Sequence, residues 1–198
     1  MSGARSDEWQ VKDGTALVLI DVQNNFFHPD GGNYFPAAPE IVGNLQVLLS
    51  SARRSGALIV HVADRHRPGQ PDFELHKLPG HCVQGEFDSE FFESFGPSAA
   101  QGGNEILVAK RRFSAFMQTD LDLALRENGI ERLVVAGVKT NVCVRATIQD
   151  GFGLGYKCLL VTDATSSNRP KLAESSAEDV DRYMGWAVSM EDAVAALA

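Results

Sequence analysis

The chain is poor in cysteine, in basic clusters and in long apolar runs. Three cysteines in 198 residues, an odd and small number, do not make a disulfide framework, so a reduced, cytoplasmic setting is expected. A formal net charge of −8 argues against a nucleic-acid surface or an anionic membrane as the main partner. Lys110-Arg111-Arg112, the one dense basic cluster, is too short to be a basic patch. No apolar run approaches the length of a membrane span. The N-terminal MSGARSDEWQVKDG is polar and lacks the apolar centre of a signal peptide. There is no GxSxG elbow, no GxxxxGK[ST] phosphate loop, no internal repeat and no linker. The length suits one domain over 1–198, with 1–13 as an N-terminal extension.

What is present is an alternation of two patterns. TALVLIDV (15–22), ALIVHVAD (57–64), EILVAK (105–110), RLVVAG (132–137) and KCLLVTDA (157–164) are short apolar runs that read as buried strands, and AVSM is a brief sixth. Between them, 39–54 carries apolar positions at helical spacing and stops at Gly56, and a helix from about Thr119 to Asn128 stops at Gly129. NVCVRATIQDGFGLG, AEDVDRYMG and EDAVAALA also read as helical. Strands alternating with helices predict right-handed βαβ units in an α/β three-layer sandwich around a mainly parallel sheet of about six strands. The segment 64–104, rich in His, Pro, Gly and acids, is the exception, and loops of that length are often functional. Within it, EFDSEFFESF is expected to be a lid or a surface helix. GFGLG (151–155) follows a helical stretch rather than a strand and is a poor dinucleotide loop.

In open α/β sheets ligands bind beyond the carboxyl ends of the strands. Strand one ends in Asp21, strand two in Asp64 with His66 close by, strand three in Lys110, and strand four runs through Gly137 to Thr140 and Cys143. Thr140 is the expected helix N-cap, which places Cys143 in a first turn where the helix dipole and free N–H groups favour a thiolate. Asp21 would take the thiol proton and return it to a leaving amine, and Lys110 would stabilise both anions. Taken singly, each has a structural role: a buried cysteine, a capping acid, a solvated lysine. Their convergence on one sheet edge is what points to nucleophilic amide hydrolysis. Cys158, inside a strand, reads as core, and Cys82 lacks comparable partners.

LVLIDVQNNF, VAKRRFSAF and VVAGVKTNVCV, in this order, resemble the three motifs of the isochorismatase-like cysteine hydrolases, over about residues 14–197. The resemblance implies Asp21 as general acid/base, Lys110 as its charge partner and Cys143 as nucleophile. It also implies a cis peptide at Val138–Lys139, turning the N–H groups of Lys139 and Cys143 toward an oxyanion. Lys139 departs from the family, where a small residue is common. The region DRHRPGQPDFELHKLPGHCV resembles the metal-binding loop of nicotinamidases. It implies Asp64, His66, Glu74 and His81 as ligands of a divalent metal, zinc first, with iron or manganese as alternatives. Phe26 and Phe113 match the aromatic walls that flank the nicotinamide ring, and Phe116 reads as core. His61 is expected to be a satisfied core residue, and His76 a surface residue or a stand-in ligand.

The expected activity is conversion of nicotinamide and water to nicotinate and ammonia. The alternatives are a cysteine amidohydrolase acting on a ureido or carbamoyl compound, an isochorismate hydrolase, or a binding protein with a vestigial site. Isochorismate fits less well, because a cysteine nucleophile suits an acyl group better than a vinyl ether. A small-molecule amide is the expected partner, and assembly of like chains is left open.

Overall fold

The computed structural model describes residues 14–98 and 103–198; the extension at 1–13 and residues 99–102 of the long loop lie outside the described residues. Six strands, β1 (Gly14–Ile20), β2 (Leu58–Asp64), β3 (Glu105–Lys110), β4 (Ile130–Val138), β5 (Lys157–Ser166) and β6 (Trp186–Val188), form one sheet in the order β3-β2-β1-β4-β5-β6. Every neighbouring pair is parallel. The order reverses between β1 and β4, which makes their carboxyl ends the topological switch point.

Both faces of the sheet are covered at its centre, and β1 shows how, whereas β3, expected as a buried run, is an edge strand that leaves Leu107 and Ala109 exposed. Side chains alternate across a strand, so Leu17 and Leu19 join one apolar core while Ala16, Val18 and Ile20 join the other. The first core takes Leu45, Leu48 and Ala52 from helix α2 (Val42–Ser55) and Ala193, Ala196 and Leu197 from α6 (Met190–Leu197). The second takes Leu121 and Leu125 from α3 (Leu121–Glu127) and Ile148 from α4 (Arg145–Gly153). The expected three-layer α/β architecture is the observed one. Among the described residues, no helix is long and apolar enough to cross a membrane.

Several boundaries moved. A short helix, α1 (Asn24–Phe27), follows β1 where the apolar pattern is too brief to announce it. The expected helix AEDVDRYMG starts earlier, as α5 (Pro170–Asp179), with Pro170 at its first turn, and it ends in a π-helical turn, Val180–Met184. Most of α5 faces water, so its first turns carry little apolar periodicity. EFDSEFFESF is not a surface helix: it has a single 3-10 turn at Phe87–Ser89, and Phe95 is fully buried. The Phe92 N–H donates to the Val22 carbonyl at 2.9 Å, tying this segment to the end of β1. GFGLG ends α4 and starts the turn after it, as expected of a decoy.

Candidate active site

The run RLVVAG ends in glycine for a steric reason. Gly137 has φ 112°, and a Cβ there would run into the backbone carbonyl oxygen of Ile20 on β1. The close approach leaves the ends of β1 and β4 side by side. Asp21, the residue after β1, stands in the left-handed region at φ 52°, which aspartate tolerates better than most residues. Its N–H donates to the Val62 carbonyl at 3.0 Å. Register pairs Lys110, the last residue of β3, with Asp64, the last of β2. From β4 the chain passes through the cis Val138–Lys139 bond into a π-helical turn, Thr140–Val144, that carries Cys143 and leads into α4.

These elements bring Asp21, Lys110 and Cys143 together. Lys110 Nζ lies 3.0 Å from Asp21 Oδ2 and donates to Cys143 Sγ at 3.6 Å. Asp21 and Lys110 are sealed from water, and Cys143 is 7% exposed. Burial raises the Asp21 carboxyl to about 6, against the pull of Lys110. Burial also works against the Lys110 ammonium, but Asp21, Cys143 and Asp64 hold it well above the ordinary lysine value. It stays charged. For Cys143, burial pushes the thiol up, Lys110 pulls it down, and Asp21 and Asp64 add to the rise. The net position is well above the ordinary value, which favours the thiol and leaves its proton for a base to take. A carboxyl near pH 6 beside that thiol can accept its proton at neutral pH and give it up again.

Thr140 is not a cap. It is the first residue of the turn, its Oγ1 is buried without a hydrogen-bond partner, and the Val142 N–H donates to the Lys139 carbonyl at 3.0 Å instead. The strand enters the turn directly, so a backbone carbonyl takes the place of the side chain.

The second cluster is Asp64, His66, Glu74 and His81, all buried, each offering one donor atom, with those atoms within 4.8 Å of one another. His66 Nε2 lies 3.4 Å from Asp64 Oδ1, and His81 Nε2 lies 3.3 Å from Asp64 Oδ2 and 3.6 Å from Glu74 Oε1. The outer nitrogens are engaged elsewhere: His66 Nδ1 pairs with Asp72 Oδ2 at 2.8 Å and His81 Nδ1 with the Pro79 carbonyl at 2.7 Å. Both imidazoles therefore aim Nε2 inward, as metal-binding histidines do. His66 Nε2 and Asp64 Oδ1 are buried without a hydrogen bond, which fits donors turned toward an ion. Two imidazole nitrogens and two carboxylate oxygens suit zinc, iron or manganese. His76 is exposed and outside the cluster.

Both clusters open on one cavity of about 410 Å³, whose walls include Cys143, Asp64, His81, Phe26, Phe113 and Lys139. Phe26 is buried and Phe113 is 42% exposed, so one ring is an inner wall and the other stands at the mouth. Lys139 is half-buried, its Nζ 5.5 Å from the Phe26 ring centroid and 5.7 Å from that of Phe35. A hollow of about 370 Å³ lined by Gly14, Leu58 and Ile130, at the amino ends of their strands, holds none of these site residues.

The remaining candidates are structural. His61 is buried between the Phe95 carbonyl at 2.6 Å and Glu105 Oε2 at 2.9 Å. Phe116 packs on the second core and stacks on Tyr156. Cys158 is buried in the core with its thiol pushed up to about 12 by burial, and Cys82 is buried with its thiol pushed further still.

Three residues with no role in the sequence reading support the site. Gln23 is wholly buried: its Nε2 donates to the carbonyls of Asp64 (3.0 Å) and Ser89 (2.8 Å), and its Oε1 accepts from the Asp64 N–H (2.8 Å). It staples the end of β1 to the end of β2. Asp72 holds His66 and is in turn held by Arg112, Nη1 to Oδ1 at 2.8 Å. Gln23 had a signal, an amide two residues beyond Asp21 in an apolar stretch; Asp72 and Arg112 look like ordinary surface charges in the sequence.

The fold and the chain as a whole are similar to known proteins. An isochorismatase domain model matches residues 15–192. N-carbamoylsarcosine amidase from Thermoplasma acidophilum is 31% identical, with 89% of this chain and 95% of that chain covered and a TM-score of 0.77. Nicotinamidase from Bacillus subtilis is 28% identical over 89% of this chain and 100% of that chain, TM-score 0.81. Pyrazinamidase of Pyrococcus horikoshii, solved in complex with zinc, is 29% identical over 89% and 99%, TM-score 0.79. With the domain matched over nearly its whole length, the chain belongs to the isochorismatase family and is a cysteine hydrolase of the isochorismatase-like superfamily.

Proposed function

We propose that the chain is an amidohydrolase that converts nicotinamide and water to nicotinate and ammonia, with Cys143 as nucleophile. The observation that carries this reading is that Lys110 Nζ sits within reach of both Asp21 Oδ2 and Cys143 Sγ, at 3.0 and 3.6 Å, behind a cavity that Cys143 lines together with Asp64, Glu74 and His81 of the second cluster. The Cys143 thiol passes its proton to Asp21 as sulfur bonds to the carboxamide carbon. The backbone N–H groups of Lys139 and Cys143 are the expected oxyanion donors. Asp21 returns the proton to nitrogen, the C–N bond breaks and ammonia leaves, giving a thioester. Water then gives a proton to Asp21 and its oxygen to the carbonyl carbon, and the C–S bond breaks to release nicotinate and restore the thiol. Lys110 keeps its charge throughout and balances whichever anion is present.

Asp64, His66, Glu74 and His81 would hold a divalent metal. When bound, it supplies a Lewis-acid point for a ring nitrogen of the substrate. Phe26 and Phe113 suit a flat ring. A second reading, hydrolysis of a ureido or carbamoyl compound, is favoured by Lys139, a cation that a neutral pyridine amide does not use. Under both readings Cys143→Ala loses ammonia release by at least about 10⁴-fold while the protein stays folded. Ammonia release at the wild-type rate from folded Cys143→Ala would sink the assignment.

A further inference from the structure

The charges around the cavity are unevenly committed. Asp64 is surrounded by cations and imidazoles: Lys110 at 3.9 Å, His66 at 3.4 Å and His81 at 3.3 Å. Glu74 faces His81 at 3.6 Å, Arg112 at 3.9 Å and His66 at 4.0 Å. The cavity's two other charged groups are ammonium ions, Lys139 in the wall and Lys77, which is exposed. Among the described residues neither has a carboxylate partner, and Lys139 Nζ has no hydrogen-bond acceptor. The Phe26 and Phe35 rings attract the Lys139 cation, but they leave its three N–H donors unspent. A half-buried cation with spare donors in a ligand cavity is matched by an anion on the ligand.

We propose that Lys139 is a specificity-determining residue, whose ammonium binds a carboxylate of the substrate, so that the preferred substrates are primary amides or ureides bearing an anionic group. Lys139 and Cys143 line the same cavity of about 410 Å³, so one small molecule spans both. The inference rests on the amidohydrolase reading and selects within it: nicotinamide, being neutral, is then a weaker substrate than a ureido or amide compound that carries a carboxylate. The reaction remains R–CO–NH2 plus water to R–COO⁻ plus NH4⁺, with R ending in a carboxylate. For a ureide, R begins with nitrogen and the first product is a carbamate.

The test measures ammonia release by metal-replete protein from two matched pairs: N-carbamoylglycine against ethylurea, and succinamate against butyramide, with nicotinamide as reference. Wild-type protein is expected to favour the charged member by tenfold or more in kcat/KM, mainly through KM. Raising the salt concentration should shrink that ratio. Lys139→Met should bring it close to one, and Lys139→Arg should restore a clear preference. A wild-type ratio near one in both pairs, which needs no variant, overturns the inference. So does a ratio that survives in Lys139→Met and disappears on chelation, because the anion then binds the metal. Turnover of neutral amides without a carboxylate preference removes only the role of Lys139. No ammonia from any amide removes the amidohydrolase reading and this inference with it.

Discussion

Lys110 and Asp21 form an ion pair of 3.0 Å with both side chains wholly buried, at the edge of the sheet where four strand ends meet. Burying two charges is expensive and is offset only while each has the other. The same pair leaves a carboxyl that exchanges a proton near pH 6 beside a thiol that has one to give.

Replacing Lys110 with Met therefore strands Asp21 as a buried anion. The expected cost is about 3–5 kcal/mol of stability, read by urea unfolding, together with loss of turnover. The double variant Lys110→Met/Asp21→Asn should recover much of the stability and none of the activity. If Lys110→Met alone unfolds at the wild-type urea concentration, the pair is not the buried unit described.

The pH profile follows from Asp21. Its carboxyl is raised to about 6, so below that pH it holds a proton and cannot take one from Cys143. kcat/KM should be level above pH 6 and fall about tenfold per unit below it. Wild-type kcat/KM that stays flat as the pH falls through this range would assign the base elsewhere.

Asp72 is expected to act on metal affinity through His66. Asp72→Ala should weaken metal binding about 10- to 100-fold, measured by competition with a chromophoric chelator. Elemental analysis of the wild-type protein should find one zinc, iron or manganese ion per chain. Retention of metal by Asp72→Ala at wild-type affinity would show that His66 needs no such support.

Gly137→Ala tests the strand contact. The new methyl would meet the Ile20 carbonyl, and φ 112° is itself costly for any residue with a side chain. Destabilisation above about 3 kcal/mol is expected, seen as a lower melting temperature. A melting temperature close to wild type would mean that β1 and β4 separate more readily than this contact implies.

The architecture and the paired cluster of Asp21, Lys110 and Cys143 were legible because their signals are local. A strand buried on both faces must be a continuous apolar run, and a polar residue at its carboxyl end is conspicuous. Asp21 and Asp64 each stand at such an end, and Lys110 ends β3, an apolar run although Leu107 and Ala109 face outward. Local pattern misled where the deciding contact was distant. EFDSEFFESF has the composition of a surface helix, but Phe95 sinks into the core and Phe92 pairs with Val22, which no property of the segment itself reveals. Thr140 has the chemistry of a cap, but the turn obtains its acceptor from the Lys139 carbonyl.

The amino-acid sequence by itself determined the α/β alternation, the strand-end positions of the reactive groups and the donor types in the long loop, because these follow from period, burial and side-chain chemistry. Tertiary structure decided the rest. Strand order β3-β2-β1-β4-β5-β6 set the switch point, and the loop's folding brought Asp72 and Arg112 behind His66. Burial pushed the Cys143 thiol well above its ordinary value, and left Lys139 as a cavity cation with no carboxylate partner among the described residues. Desolvation and charge pairing depend on everything within a few ångströms, and that neighbourhood comes into existence only when distant segments pack.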